Sequence, residues 1–198
     1  MRRVQTNKAE VYTYYNFLTK DECQTFEDYI TANRERSTVT IPYSETGYNV
    51  TDFRTSTTCM LSRWDDPIVN TIDERICETL AVNEKYGEAI QGQYYEEGQY
   101  FKPHTDFFAP GTKEYDIHCK HYGNRTWTFM IYVKAPLEGG CTLFHDLGIR
   151  FNPVIGSAVI WKNLHEDGTP NEQTIHEGEP LIKGSKIVIT KWFREKCM

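Results

Sequence analysis

Six histidines stand in the chain, His104, His118, His121, His145, His165 and His176, and the first of them opens the pattern His104-x-Asp106. Residues two apart on a strand point to the same face, so this spacing offers an imidazole and a carboxylate to one metal ion without bending the backbone. One more histidine would complete a triad. Two histidines and a carboxylate leave positions open on iron(II), which is what an oxygenase needs to take up a chelating co-substrate and dioxygen. The dipeptide spacing alone fits a histidine satisfied inside a core equally well.

Two other clusters compete for a metal. His165-x-Asp167 repeats the spacing, but it lies among Asn163, Gly168, Thr169 and Pro170, where turn chemistry predicts a loop. His118-Cys119-x-His121, with Cys141 elsewhere in the chain, lacks the paired spacing of structural zinc sites and reads as a polar loop. The six cysteines include no Cys-x-x-Cys pair and are expected to be reduced thiols.

The elements that would hold these residues can be read from periodicity. Thr19-x-x-Glu22 has capping-box spacing and is followed by Cys23, Phe26 and Ile30, which predicts a helix over about 20–34. Asp66-Pro67 opens a second helix with Ile68, Val69, Ile72, Ile76 and Leu80 down one face, ending near Val82 and Asn83. Between them, 48–63 reads as one or two strands after a turn at 44–47. Beyond residue 88 the texture becomes short strands, at roughly 89–96, 99–105, 126–134, 141–145, 157–161, 173–177 and 186–193, separated by Gly- and Pro-rich turns. Aromatic residues make up 14% of the chain and gather in these Thr-, Val- and Ile-rich runs. The expected fold is mainly β with flanking helices, a double-stranded β-helix (jelly roll) whose helices pack outside the larger sheet. One domain over 1–198 is expected, with N-terminal support over about 1–87 and a catalytic core over about 88–198. The segment 109–125 is the longest irregular candidate and a possible mobile loop beside a site.

Charge and hydropathy narrow the partners. With 28 acidic residues against 22 basic ones the net charge is −6, which disfavours nucleic acid. No apolar run approaches the ~20 residues of a bilayer span, and the opening residues lack a secretory signal, so no membrane partner and a cytoplasmic location are expected. Oligomeric state is not readable.

The surroundings of His104 carry more. Six elements fall in order: Arg54-Thr-Ser56, Tyr95-x-x-Gly98-Gln99, His104-x-Asp106, Gly139-Gly140-x-Thr142-x-Phe144, His176, and Lys186 with Trp192 six residues on. This joint pattern resembles the prolyl 4-hydroxylase family of iron(II)- and 2-oxoglutarate-dependent dioxygenases, over most of the chain from Phe17-Leu18 to Trp192. The small single-domain microbial, algal and viral forms are the nearer likeness. The resemblance implies His104, Asp106 and His176 as iron ligands, and Lys186 as the partner of the far carboxylate of 2-oxoglutarate. It also implies Tyr95 and Thr142 as hydrogen-bond donors to that carboxylate. It implies Arg54, Ser56, Glu88, Arg125 and Trp192 along a peptide channel, with Trp192 near the co-substrate as well. Dioxygen would be the second co-substrate and ascorbate the reductant. The implied reaction turns prolyl residues of a peptide or protein into 4-hydroxyproline and releases succinate and CO2. A nucleic-acid demethylase of the same iron class and a catalytically silent jelly-roll binding module are the alternatives. There are departures: Phe101 stands where the family often has Tyr, Cys141 replaces the Glu of a Gly-Gly-Glu-Thr stretch, and Arg194 follows Trp192 where another polar residue is common.

Overall fold

Residues 186–194 are buried on both faces, and a strand of this kind needs cover on each side. The chain supplies helices on one side and a second sheet on the other. The structure is a computed structural model and describes residues 1–37, 52–62 and 66–198. Its strands are β1 (Arg2–Arg3), β2 (Val11–Tyr14), β3 (Glu35–Arg36), β4 (Thr57–Leu61), β5 (Ile90–Tyr95), β6 (Phe101–His104), β7 (Arg125–Lys134), β8 (Glu138–Gly139), β9 (Thr142–Phe144), β10 (Ile149–Phe151), β11 (Ala158–Lys162), β12 (His176–Gly178), β13 (Leu181–Lys183) and β14 (Lys186–Arg194). Its helices are α1 (Lys20–Asn33), α2 (Pro67–Leu80) and α3 (Lys113–His118).

Eight strands form the large sheet in the order β1-β2-β11-β7-β14-β5-β4-β3, and four form the small one, β10-β9-β12-β6; β13 and β8 make a separate ribbon. The central pairings, β7 with β11 and β14, and β14 with β5, are antiparallel. The two sheets face each other as a jelly roll.

Alternation along the strands builds two cores. On the outer face of the large sheet, Phe129, Ile131, Ile160 and Ile189 meet Phe26 and Ile30 of α1 and Ile72 and Ile76 of α2. On the inner face, Tyr132, Val188 and Trp161 meet Phe144 of the small sheet. Burying each such side chain contributes about 1.5–3 kcal/mol. Close packing of α1 on β5 depends on Gly92, where a Cβ would fall 2.7 Å from Ile30 Cδ1.

Both long helices begin where their caps lie. Thr19 Oγ1 accepts from the Glu22 amide at 3.2 Å while the Thr19 amide donates to Glu22 Oε2 at 2.8 Å, closing the capping box. Asp66 caps the Ile68 amide at 2.9 Å with Pro67 in the first helical position. Ala81 ends α2 in the left-handed region at φ 52°, its amide reaching the carbonyls of Cys77 and Glu78.

Two expectations need correction. The segment 109–125 is not irregular throughout, because Thr112 caps the short α3. The stretch 173–177 divides into a 3-10 turn at Glu172–Thr174 and β12, which begins at His176. Of 48–63, the described part holds the single strand β4; the turn at 44–47 and residues 48–51 and 63 lie outside the described residues. Strands β1, β2, β3, β8, β10 and β13 are additions, most too short to carry a periodic signal. Among the described residues no helix is long and apolar enough to cross a membrane.

Candidate active site

The inner face of β14 presents Lys186, Val188, Thr190 and Trp192 in strict alternation to a cavity. The opposite wall is the small sheet. There β6 and β12 pair so that His104 and His176 stand directly across from each other, their ring centroids 4.3 Å apart. Asp106 follows β6 by two residues, and one ligand atom from each of the three lies within 4.8 Å of the others.

Each imidazole is fixed by the backbone carbonyl two residues before it. Nδ1 of His104 lies 2.7 Å from the Lys102 carbonyl and Nδ1 of His176 lies 2.9 Å from the Thr174 carbonyl. A carbonyl only accepts, so both Nδ1 atoms carry a proton, and each Nε2 is left as the nitrogen a metal could take. His104 Nε2 lies 3.9 Å from Asp106 Oδ1. Burial first, then the neighbouring His176, push His104 down to about 3, so its ring is neutral at physiological pH. Burial alone would raise Asp106; His176, His104 and Arg125, with a hydrogen bond from Thr128, outweigh it and hold the carboxyl below its ordinary range. Thr128 Oγ1 donates to Asp106 Oδ2 at 2.7 Å and itself accepts from Asn163 Nδ2 at 2.9 Å. Neither Thr128 nor Asn163 was anticipated, because nothing near them in sequence marks them as partners of Asp106.

Aromatic rings pack the histidines in place. Phe101 lies flat on His104, with centroids 3.6 Å apart and planes at 18°. His176 stacks on Phe144 at 5.1 Å and takes the edge of Trp161 at 4.8 Å. Where the resemblance points to a tyrosine hydroxyl, this chain has a stacking surface against a candidate ligand.

Lys186 lies in the same cavity and is 3% exposed. Its Nζ donates to the Gly140 carbonyl at 2.7 Å and sits 4.7 Å from the Tyr95 ring; among the described residues it makes no ion pair. Burial drives its ammonium down to about 8. Thr142 Oγ1 accepts from the Tyr132 hydroxyl at 2.8 Å, which leaves the Thr142 hydroxyl hydrogen for another acceptor. Tyr132, wholly buried, was likewise not anticipated. The cavity therefore joins two imidazoles and a carboxylate to a buried ammonium. That donor set fits iron(II) and a dicarboxylate together.

The residues expected along a peptide channel are placed unevenly. Arg54 lines the cavity, 6% exposed, donating from Nε to Ser56 Oγ and from both Nη atoms to Gln91 Oε1, each at 3.1 Å. Ser56 is wholly buried and also bonds Ser37 Oγ at 2.9 Å, so it holds Arg54 and does not line the cavity. Glu88 receives Arg125 through two hydrogen bonds of 2.8 Å and Arg194 Nε at 2.6 Å. The Arg125 guanidinium lies 3.9 Å from the Trp192 ring centroid, which covers one face of the indole. These strand-end charges form one neutralising cluster beside Asp106, not separate solvated side chains. Away from the cavity, His165 and Asp167 lie in a turn closed by Thr169, and His118 stacks on Phe108 at 4.8 Å.

Similarity to known proteins places the chain in a family. A family model described as the 2OG-Fe(II) oxygenase superfamily matches residues 90–194. Prolyl 4-hydroxylase subunit alpha-2 of Gallus gallus is 32% identical over 191 residues, which are 96% of this chain and 35% of that protein. The chain thus spans about a third of that relative's length. Probable prolyl 4-hydroxylase 3 of Arabidopsis thaliana is 30% identical, over 93% of this chain and 69% of its own. A solved structure of the viral collagen prolyl hydroxylase from Paramecium Bursaria Chlorella virus-1, a 2OG complex, shares the fold with a TM-score of 0.72 at 22% identity, over 93% of this chain and 95% of that one. By sequence and by fold, the chain belongs to the 2OG-Fe(II) oxygenase superfamily and, within it, to the prolyl 4-hydroxylase family.

Proposed function

We propose that this chain hydroxylates prolyl residues of a peptide or protein to 4-hydroxyproline, consuming 2-oxoglutarate and dioxygen and releasing succinate and CO2. The observation that carries the reading is one cavity lined by His104, Asp106 and His176 together with a buried Lys186 that makes no ion pair among the described residues. His104 and His176 through Nε2 and Asp106 through a carboxylate oxygen would hold iron(II). Bound there with the 2-oxo acid, the metal supplies activation of dioxygen.

The remaining roles belong to the chain. Lys186 receives the far carboxylate of 2-oxoglutarate, and the Tyr95 and Thr142 hydroxyls donate to it. Thr128 occupies one oxygen of Asp106 and so presents the other toward the histidines. The packed rings of Phe101, Phe144 and Trp161 exclude water from the ligand side of the cavity. Arg54, Arg125 and Trp192 face the acceptor. Prolyl peptides suit such a mouth because polyproline II is already extended and docks on aromatic surfaces at low entropic cost. All six cysteines are free thiols, in keeping with a reducing, cytoplasmic setting.

The test is mass analysis of proline-rich peptides incubated with the protein, iron(II), ascorbate and 2-oxoglutarate. One oxygen gained per succinate released is the expected result. Asp106→Ala should abolish that gain while leaving the melting temperature within a few degrees. Full activity in Asp106→Ala would overturn the ligand assignment. Stimulation by methylated oligonucleotides and not by peptides would replace the reading with demethylation.

A further inference from the structure

Two residues after His176, on the same face of β12, stands Gly178. It pairs with Thr142 of β9 on one side and Phe101 of β6 on the other, and it lines the cavity. Its backbone is not in the left-handed region, so conformation does not call for glycine. Packing does not call for it either. A Cβ added there would meet Phe101 Cβ at 3.5 Å, the Phe101 amide nitrogen at 3.6 Å and Lys186 Nζ at 3.8 Å, all ordinary contacts. Gly92 is the contrast, since there the protein's own Ile30 fills the space. At Gly178 the missing side chain leaves room directly before the Lys186 ammonium.

We infer that Gly178 is a specificity-determining residue: the space it leaves is used by the chain of the 2-oxo acid, and it sets the length of dicarboxylate the cavity admits. The inference rests on the reading of Lys186 as the co-substrate anchor and adds to it the wall that measures the ligand. An alanine methyl fits the protein but intrudes on the ligand. Overpacking of this kind should weaken 2-oxoglutarate binding on the order of tenfold. A 2-oxo dicarboxylate one methylene shorter should lose less.

The experiment is calorimetric titration of the manganese(II)-loaded protein, wild type and Gly178→Ala, with 2-oxoglutarate and with oxaloacetate, each variant's melting temperature being measured alongside. The expected result is an unchanged melting temperature and a ratio of dissociation constants that moves toward oxaloacetate. An unchanged ratio in a folded Gly178→Ala protein would overturn the inference, because a merely structural role would weaken both acids alike. Should Gly178→Ala fail to fold, wild type is titrated with 2-oxoglutarate carrying one methyl beside the far carboxylate. Weaker binding than the parent acid supports the inference and equal binding overturns it. Failure of wild type to bind 2-oxoglutarate at all would instead overturn the proposed function.

Discussion

Strand β14 buries two lysines five residues apart, and the two faces of the sheet treat them differently. Lys186 and Lys191 are each 3% exposed, and the odd separation sends them to opposite sides. Lys191 points to the helical side and makes an ion pair with Asp73 of α2. Lys186 points to the cavity, where its hydrogen-bond partner is the Gly140 carbonyl. A buried charge is costly unless it is paired. The protein supplies the counter-ion for Lys191; among the described residues it supplies none for Lys186, and on the proposed function the far carboxylate of 2-oxoglutarate takes that place. Lys191 ties a helix to a sheet, while Lys186 lines a cavity.

The largest test of this contrast lies on the structural side. Asp73→Ala leaves Lys191 buried without its carboxylate and should destabilise the fold by about 3–5 kcal/mol in urea denaturation. A loss below about 1 kcal/mol, the size of an exposed pair, would erase the distinction. Next, Lys186→Ala should weaken 2-oxoglutarate binding by roughly a hundredfold, about 3 kcal/mol, while stability stays level or rises. Equal affinity in the variant, measured by calorimetry, would shift the anchoring role to another cation. The smallest effect is on pH. Burial holds Lys186 at about 8 against an ordinary 10.5. Between those values the unfolded chain binds the extra proton and the folded chain does not, so the Lys186 contribution to ligand-free stability rises with pH across that window. A carboxylate needs the charged form, so affinity for 2-oxoglutarate should fall by up to about tenfold per pH unit above that pKa. Lys186→Met should flatten both trends, and a flat affinity in the wild type would show that the ammonium is not the partner.

What could be read from the sequence follows the range of each interaction. The capping box at Thr19 and Glu22 and the Asp66-Pro67 start are local, and both helices begin there. His104-x-Asp106 is local too, and His176 and Lys186 lie at spacings the family resemblance supplied. The Asp106–Thr128–Asn163 chain, the Tyr132–Thr142 bond and the Lys191–Asp73 pair join elements 10 to 118 residues apart; no local pattern announces them. Sequence also made Ser56 a channel residue, whereas its burial follows from pairing with Ser37 and Arg54 across separate segments. The helix at Lys113–His118 was hidden because Pro110-Gly111 reads as turn, though Thr112 caps it.

The two carbonyl latches, Lys102 to His104 and Thr174 to His176, bear on how the metal enters. Each latch closes onto the carbonyl two residues earlier, in β6 for His104 and in the 3-10 turn before β12 for His176, so both rings hold their orientation by backbone the fold has already set. Loading is then separate from folding, unlike in small zinc domains that collapse only around their ion. A chelator should strip the protein to a folded, reloadable apo form. The gain in melting temperature on adding iron(II) should track the concentration of free ion, as simple mass action requires.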